Sequence, residues 1–120
     1  LGRGSSVWFN SVLRADVADI VIGRDSNIQD NCTVHVDLGR GTALGDRVPV
    51  GHGAILHACT IEDDCIIGMG AIVLDGAVIM KGTIVAAGAL VPPRKTDPAG
   101  PLVLGSPAAG SRPAPSSGPA

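Results

Sequence analysis

An aliphatic residue recurs every six positions through most of this 120-residue chain, and a period of that length leaves few folds open. From Ile22 the chain reads IGRDSN, IQDNCT and VHV; after a loop it resumes as LGDRVP, VGHGAI, LHACT, IEDDCI, IGMGAI, VLDGAV, IMKGTI and VAAGAL. The units open at Ile22, Ile28, Val34, Leu44, Val50, Leu56, Ile61, Ile67, Val73, Ile79, Val85 and Val91. Small or short-branched residues stand four places later, among them Ser26, Cys32, Ala54, Cys65, Ala71, Ala77, Thr83 and Ala89. The same beat extends upstream through Leu1, Val7 and Leu13. In a solenoid with this repeat each unit is one short strand, and three units complete one turn of a triangular prism. The aliphatic-then-small hexad belongs to the left-handed form, an exception to the usual right-handed crossover. The expected fold is therefore all-β: a left-handed parallel β-helix, a hexapeptide-repeat solenoid of about five coils, over residues 1–108. Residues 109–120, AGSRPAPSSGPA, have the composition of a disordered tail.

Composition fits a narrow prism. Trp8 and Phe9 are the only aromatic residues, as expected of an interior with room for Ile, Val, Leu and Ala but little for rings. Glycine is abundant because a corner every few residues repeatedly requires positive φ or a close backbone approach. Cys32 and Cys65 fall in the small-residue slot and read as buried fillers, as does Cys59 with less support from the repeat. Lys81 and Lys95 are the only lysines and the formal net charge is −2, so no basic patch points to nucleic acid or an acidic membrane surface. No apolar run is long enough to span a bilayer, and the first residues lack a signal-peptide layout. A soluble, cytoplasmic protein is the expectation.

Two insertions break the beat, one between Leu13 and Ile22 and one from Asp37 to Thr42, and projecting loops are where regular coils carry chemistry. After Pro92 the repeat stops, although Leu102 to Leu104 have the composition of a last short strand. Leu1 opens a hexad with no cap before it, and an uncovered solenoid end exposes unpaired strand edges. Either an earlier coil is missing or another chain protects that end.

The chain has three histidines, His35, His52 and His57, all inside the repeat. Counted in hexads, Leu13, Val34, Leu56 and Val73 lie on one face, one above another at about 4.8 Å. The residues that follow them, Arg14, His35, His57 and Leu74, point outward. His35 and His57 are thus stacked neighbours able to share one ion, with Arg14 one coil below. His52 follows Val50 on the preceding face, where walls diverge, and reaches such a pair only on a neighbouring subunit. A closed ring of three prisms repeats that contact symmetrically. Three neutral imidazoles and an open fourth position describe a catalytic zinc site, which would bring the pKa of a bound water to about 7. Arg14 and Asp16 sit at the same edge, where an Arg–carboxylate pair across it would set register. Asn27 and Gln29 are neutral polar groups near His52, suited to hydrogen-bond a hydroxide or a small oxyanion.

The segments SSVWFNSVLRADV, IGRDSNIQDNCTVHV, VGHGAILHACTIEDDCIIGMGAIVLDGAV and IVAAGALV resemble the gamma-class carbonic anhydrase family, over nearly everything from Gly4 to Ala108. The resemblance implies a homotrimer of left-handed β-helices with zinc, or ferrous iron or cobalt in its place, at each interface. It implies metal ligation by His35, His52 and His57, an Arg14–Asp16 interface pair, and contacts to substrate or hydroxide from Asn27 and Gln29. The implied reaction is reversible hydration of carbon dioxide to bicarbonate. The more active members resemble this chain in their ligands but carry glutamates on long loops as proton shuttles. Here the single glutamate, Glu62, is expected on a different face from His57, leaving Asp37 as the substitute. Members also begin about one coil earlier and end in a helix, both of which this chain lacks as read. A hexapeptide-repeat acyltransferase or thioesterase, and a non-catalytic metal-binding scaffold subunit, remain as alternatives.

Overall fold

The computed structural model describes residues 1–96, together with the backbone of Pro101–Gly105 and Ala108–Pro113. In chain order the strands are β1 (Ser6–Val7), β2 (Val12–Leu13), β3 (Ile20–Ile22), β4 (Asn27–Ile28), β5 (Thr33–His35), β6 (Thr42–Leu44), β7 (Pro49–Val50) and β8 (Ile55–His57). They continue as β9 (Thr60–Ile61), β10 (Ile66–Ile67), β11 (Ile72–Val73), β12 (Val78–Ile79), β13 (Ile84–Val85), β14 (Leu90–Val91), β15 (Pro101–Gly105) and β16 (Ala108–Pro113). Every third strand pairs in parallel, giving three walls. The first holds β1, β4, β7, β10, β13 and β15, with β16 antiparallel at its edge; the second holds β2, β5, β8, β11 and β14; the third holds β3, β6, β9 and β12. The third wall gains one more parallel bridge, Val78 to Thr96. This is the left-handed parallel β-helix expected from the repeat. β15 takes in the Leu102–Leu104 stretch, and β16 runs into the segment assigned by composition to a tail, whose remaining residues, 114–120, lie outside those described.

The hexad explains the packing residue by residue. All twelve unit openers from Ile22 to Val91 are buried, as are the small residues Ser26, Cys32, Ala54, Cys65, Ala71, Ala77, Thr83 and Ala89. An opener points into the prism because strand side chains alternate in direction, and its neighbour in the same strand faces out. The four-places-later slot is buried at a corner, where two walls meet and only a small side chain fits. Corners also need left-handed backbone. They use glycine, as at Gly53 and Gly76 (φ 72° each), but equally Asn10, Asn31, Asp25 and Asp64, whose short polar side chains tolerate that region. All three cysteines are free and buried, Cys59 included. Burial pushes the Cys59 thiol up to about 12. No helix among the described residues is long and apolar enough to cross a membrane.

Both insertions fall at the corner between the second and third walls. There the regular turn is replaced by Arg14–Asp19 in one coil and by Val36–Gly41 in the next. The latter folds as a tight hairpin turn, with Asp37 and Arg40 exchanging backbone hydrogen bonds of 2.9 and 3.0 Å. The irregular corner is therefore a continuous vertical strip, and it carries the chemically equipped side chains.

Candidate metal centre

The strand ladder sets two histidines face to face. β5 and β8 pair with Thr33 against Ile55, Val34 against Leu56 and His35 against His57. Both imidazoles stand outside the prism, half-buried, with ring centroids 5.0 Å apart. Arg14 follows Leu13 in β2 one coil below, its N–H donating to the Val34 carbonyl at 2.9 Å.

Carboxylates orient these groups. Asp16 accepts from Arg14 Nη2 at 3.0 Å and lies 3.3 Å from His35 Nε2, so within one chain the Arg14–Asp16 pair closes on itself and against His35. Partial burial pushes the Asp16 carboxyl up, but hydrogen bonds from Arg14, its own backbone N–H and His35 outweigh that and hold it below the usual carboxylate range. His57 is hydrogen-bonded through Nδ1 to Asp75 Oδ1. That hydrogen bond is the main reason the Asp75 carboxyl lies below its ordinary value, with a further contribution from a hydrogen bond to Asp37. The backbone of β5 is tied down by Thr42, buried, whose hydroxyl donates to the His35 carbonyl at 2.6 Å.

The second group of candidate residues occupies another wall. Asn27 and Gln29 flank the buried Ile28 in and just after β4, and Gln29 Nε2 donates to Asn27 Oδ1 at 3.0 Å. That contact leaves Gln29 Oε1 and Asn27 Nδ2 as the two side-chain atoms outside it. His52 sits one coil higher, in the turn joining the first wall to the second, exposed, its ring centroid 6.1 Å from that of Trp8. Val7, Trp8, Phe9, Asp30 and His52 line a cavity of about 470 Å³.

One chain thus carries two groups of candidate residues: His35 and His57 with Arg14 and Asp16 at the corner between the second and third walls, and His52 with Asn27 and Gln29 on and beside the first. Within the chain, no three His, Cys, Asp or Glu side chains gather around one point among the described residues. The donor chemistry fits a zinc ion nonetheless. Two nitrogens at zinc–nitrogen distances of 2.0–2.1 Å are at most about 4.2 Å apart, which rings 5.0 Å apart at their centroids can meet.

Glu62 follows β9 on the third wall, where its Oε1 accepts from the Lys81 N–H at 3.0 Å, away from His57 as expected. Asp37 is exposed, and its carboxylate accepts from the Leu38 N–H at 2.8 Å; it meets Asp75 rather than standing alone over the histidines. Sequence reasoning did not single out Asp75 or Thr42. Asp75 was within reach: it comes 18 residues after His57, one regular coil of three hexads, just past the outward-facing Leu74.

Residues 58–93 match the family model of bacterial transferase hexapeptide repeats. A probable carbonic anhydrase of Methanocaldococcus jannaschii is 54% identical over 71 residues, 59% of this chain and 45% of that protein. The mitochondrial gamma carbonic anhydrase 2 of Arabidopsis thaliana is 49% identical over 77 residues, 59% of this chain and 28% of that protein. The crystal structure of a hexapeptide transferase family protein from Anaplasma phagocytophilum matches with a TM-score of 0.90 at 42% identity, covering 95% of this chain and 67% of that one. This chain spans less than half the length of these two curated relatives. Prism, hexad and comparisons together define a hexapeptide-repeat β-helix protein. Within that class, the chain is similar, at about 50% identity over 59% of its length, to proteins named as carbonic anhydrases.

Proposed function

We propose that this chain, as a homotrimer in the cytoplasm, catalyses the zinc-dependent reversible hydration of carbon dioxide to bicarbonate, with ferrous iron or cobalt able to replace zinc. The observation that carries the reading is the register pairing of His35 with His57, two imidazoles side by side on adjacent rungs. His35 and His57 of one subunit and His52 of the next would hold the metal. Bound there, it would supply Lewis-acid activation of water near neutral pH.

The chain's own residues account for the rest. Gln29 and Asn27, locked to each other, present a carbonyl and an amide beside His52, able to orient a water and then a bicarbonate oxygen. Arg14 and Asp16 place a charge pair at the edge where subunits would meet, and a planar guanidinium in that position resists rotation of one prism against the next. The apolar wall of Val7, Trp8 and Phe9 beside His52 suits an uncharged substrate. Asp37, with Asp75 beyond it, is the acidic route by which a proton would leave. With no glutamate near the histidines, transfer to buffer would limit the rate.

The test pairs oligomer mass and metal content on one sample with hydration kinetics. A trimer holding about one zinc per subunit and losing both zinc and hydration in His35→Ala is expected; stoichiometric zinc retained in that variant would overturn the site. Acyl transfer is the second reading, favoured by the transferase names among the relatives and by the apolar cavity next to His52. Turnover of an acyl-coenzyme A by metal-free protein would select it, and a metal-loaded trimer without either activity would select a scaffold role.

A further inference from the structure

We propose that Asp75 is the positioning residue that makes His57 a ligand through Nε2, an inference that rests on the metal reading above. A neutral imidazole carries one N–H and one lone pair, whereas an ionised carboxylate only accepts. Because Asp75 Oδ1 faces His57 Nδ1, the hydrogen sits on Nδ1. The lone pair is then on Nε2, at the far side of the ring from Asp75. Held at Cβ and at Nδ1, the ring loses its freedom to flip.

The backbone that carries Asp75 is tied into the same frame that holds the histidines. The Ala58 N–H donates to the His35 carbonyl at 3.1 Å, the Gly76 N–H to the Ala58 carbonyl at 2.6 Å, and the Arg94 N–H to the Asp75 carbonyl at 2.7 Å. A backbone ladder thus runs from His35 past His57 to Asp75. Gly76 makes the turn possible: its φ is +72°, and a Cβ there would meet the Arg40 guanidinium and Arg94 Cγ at 3.0 Å each. His35 differs, because the nitrogen it turns to a carboxylate, Asp16 at 3.3 Å, is Nε2. The two rings are therefore not equivalent, and Asp75 gives His57 the fixed orientation. Carboxylates behind metal-bound imidazoles generally raise affinity in this way, and losing one costs 10–100-fold.

The experiment uses the full chain. Long-range nitrogen–proton correlation spectra of metal-free protein report which nitrogen of His57 is protonated, and competition with a chromophoric chelator gives the zinc affinity. The expected result is an Nδ1-protonated His57 in the wild-type protein and zinc affinity lowered about 10–100-fold in Asp75→Ala. Asp75→Asn, which keeps an acceptor oxygen, should restore affinity to within a few-fold. Asp64→Ala, which breaks an ion pair with Arg47 at a different corner, should change neither readout. An Nε2-protonated His57 in the wild type, or equal zinc affinity in Asp75→Ala, overturns the role of Asp75. Should Asp75→Ala fail to fold, the wild-type tautomer and the Asp75→Asn affinity decide. A wild-type protein with the Nδ1-protonated ring that takes up no zinc would sink the metal reading instead.

Discussion

Truncating Leu56 to alanine tests the link between the repeat and the site, because Leu56 directly precedes His57 and points into the prism. Its side chain is fully buried, at 0% exposure, with Val34 in register below and Val73 above. Leu→Ala substitutions cost about 2–5 kcal/mol, and the cost rises with the cavity that survives relaxation. Here relaxation is restricted. The walls are laddered backbone on three sides, and moving one inward would break hydrogen bonds in two neighbouring coils. The upper half of the range, about 4 kcal/mol, is therefore expected. For a domain of this size that lowers the melting temperature by roughly 15–30 °C. Urea unfolding at a fixed protomer concentration measures it, since assembly makes apparent stability concentration-dependent. Leu56→Ile, which conserves volume, should cost less than about 1.5 kcal/mol. Thr60→Ala, at an exposed position on the third wall, should stay within about 0.5 kcal/mol of wild type. A Leu56→Ala protein no less stable than Thr60→Ala would refute the inward assignment of the unit openers.

Arg14→Ala should weaken subunit association, seen as dissociation at low concentration in sedimentation velocity; an unchanged profile removes its interface role. Cys59, buried and with its thiol pushed up to about 12, should resist alkylation in native protein at pH 8 and react only after unfolding, so rapid labelling of Cys59 in the folded state would contradict its placement. Acid stability has a defined sign. The Asp46 carboxyl, chiefly through the Arg24 backbone N–H, Asp64 through Arg47, and Asp75 through His57 lie below their ordinary values. Groups depressed in the folded state contribute stability that is present above the unfolded carboxylate pKa, about 3.9, and lost as pH falls through the lower folded value. Urea midpoints should therefore drop below about pH 4, and a protein that gains stability on acidification there would show these contacts do not form.

The corner between the second and third walls shows where reading the chain stops being sufficient. That His35 and His57 are neighbours follows from counting units, even though 22 residues separate them and a regular coil has 18, because the insertion after His35 is recognisable as a break in the beat. That Asp37 folds back against Asp75, or that Asp16 turns to both Arg14 and His35, does not follow. Those contacts depend on how the irregular loops close and which rotamers their side chains adopt. Burial of Cys59 was weakly signalled for the same reason, since its unit, LHACT, is one residue short.

What the chain determines by itself is the prism and its two sides: strand alternation is a local rule, and a fixed six-residue spacing converts it into walls, corners and a vertical pair of imidazoles. What the tertiary structure alone decides is which nitrogen of each imidazole meets a carboxylate. That choice rests on side chains from different coils converging at a corner, where no period constrains them.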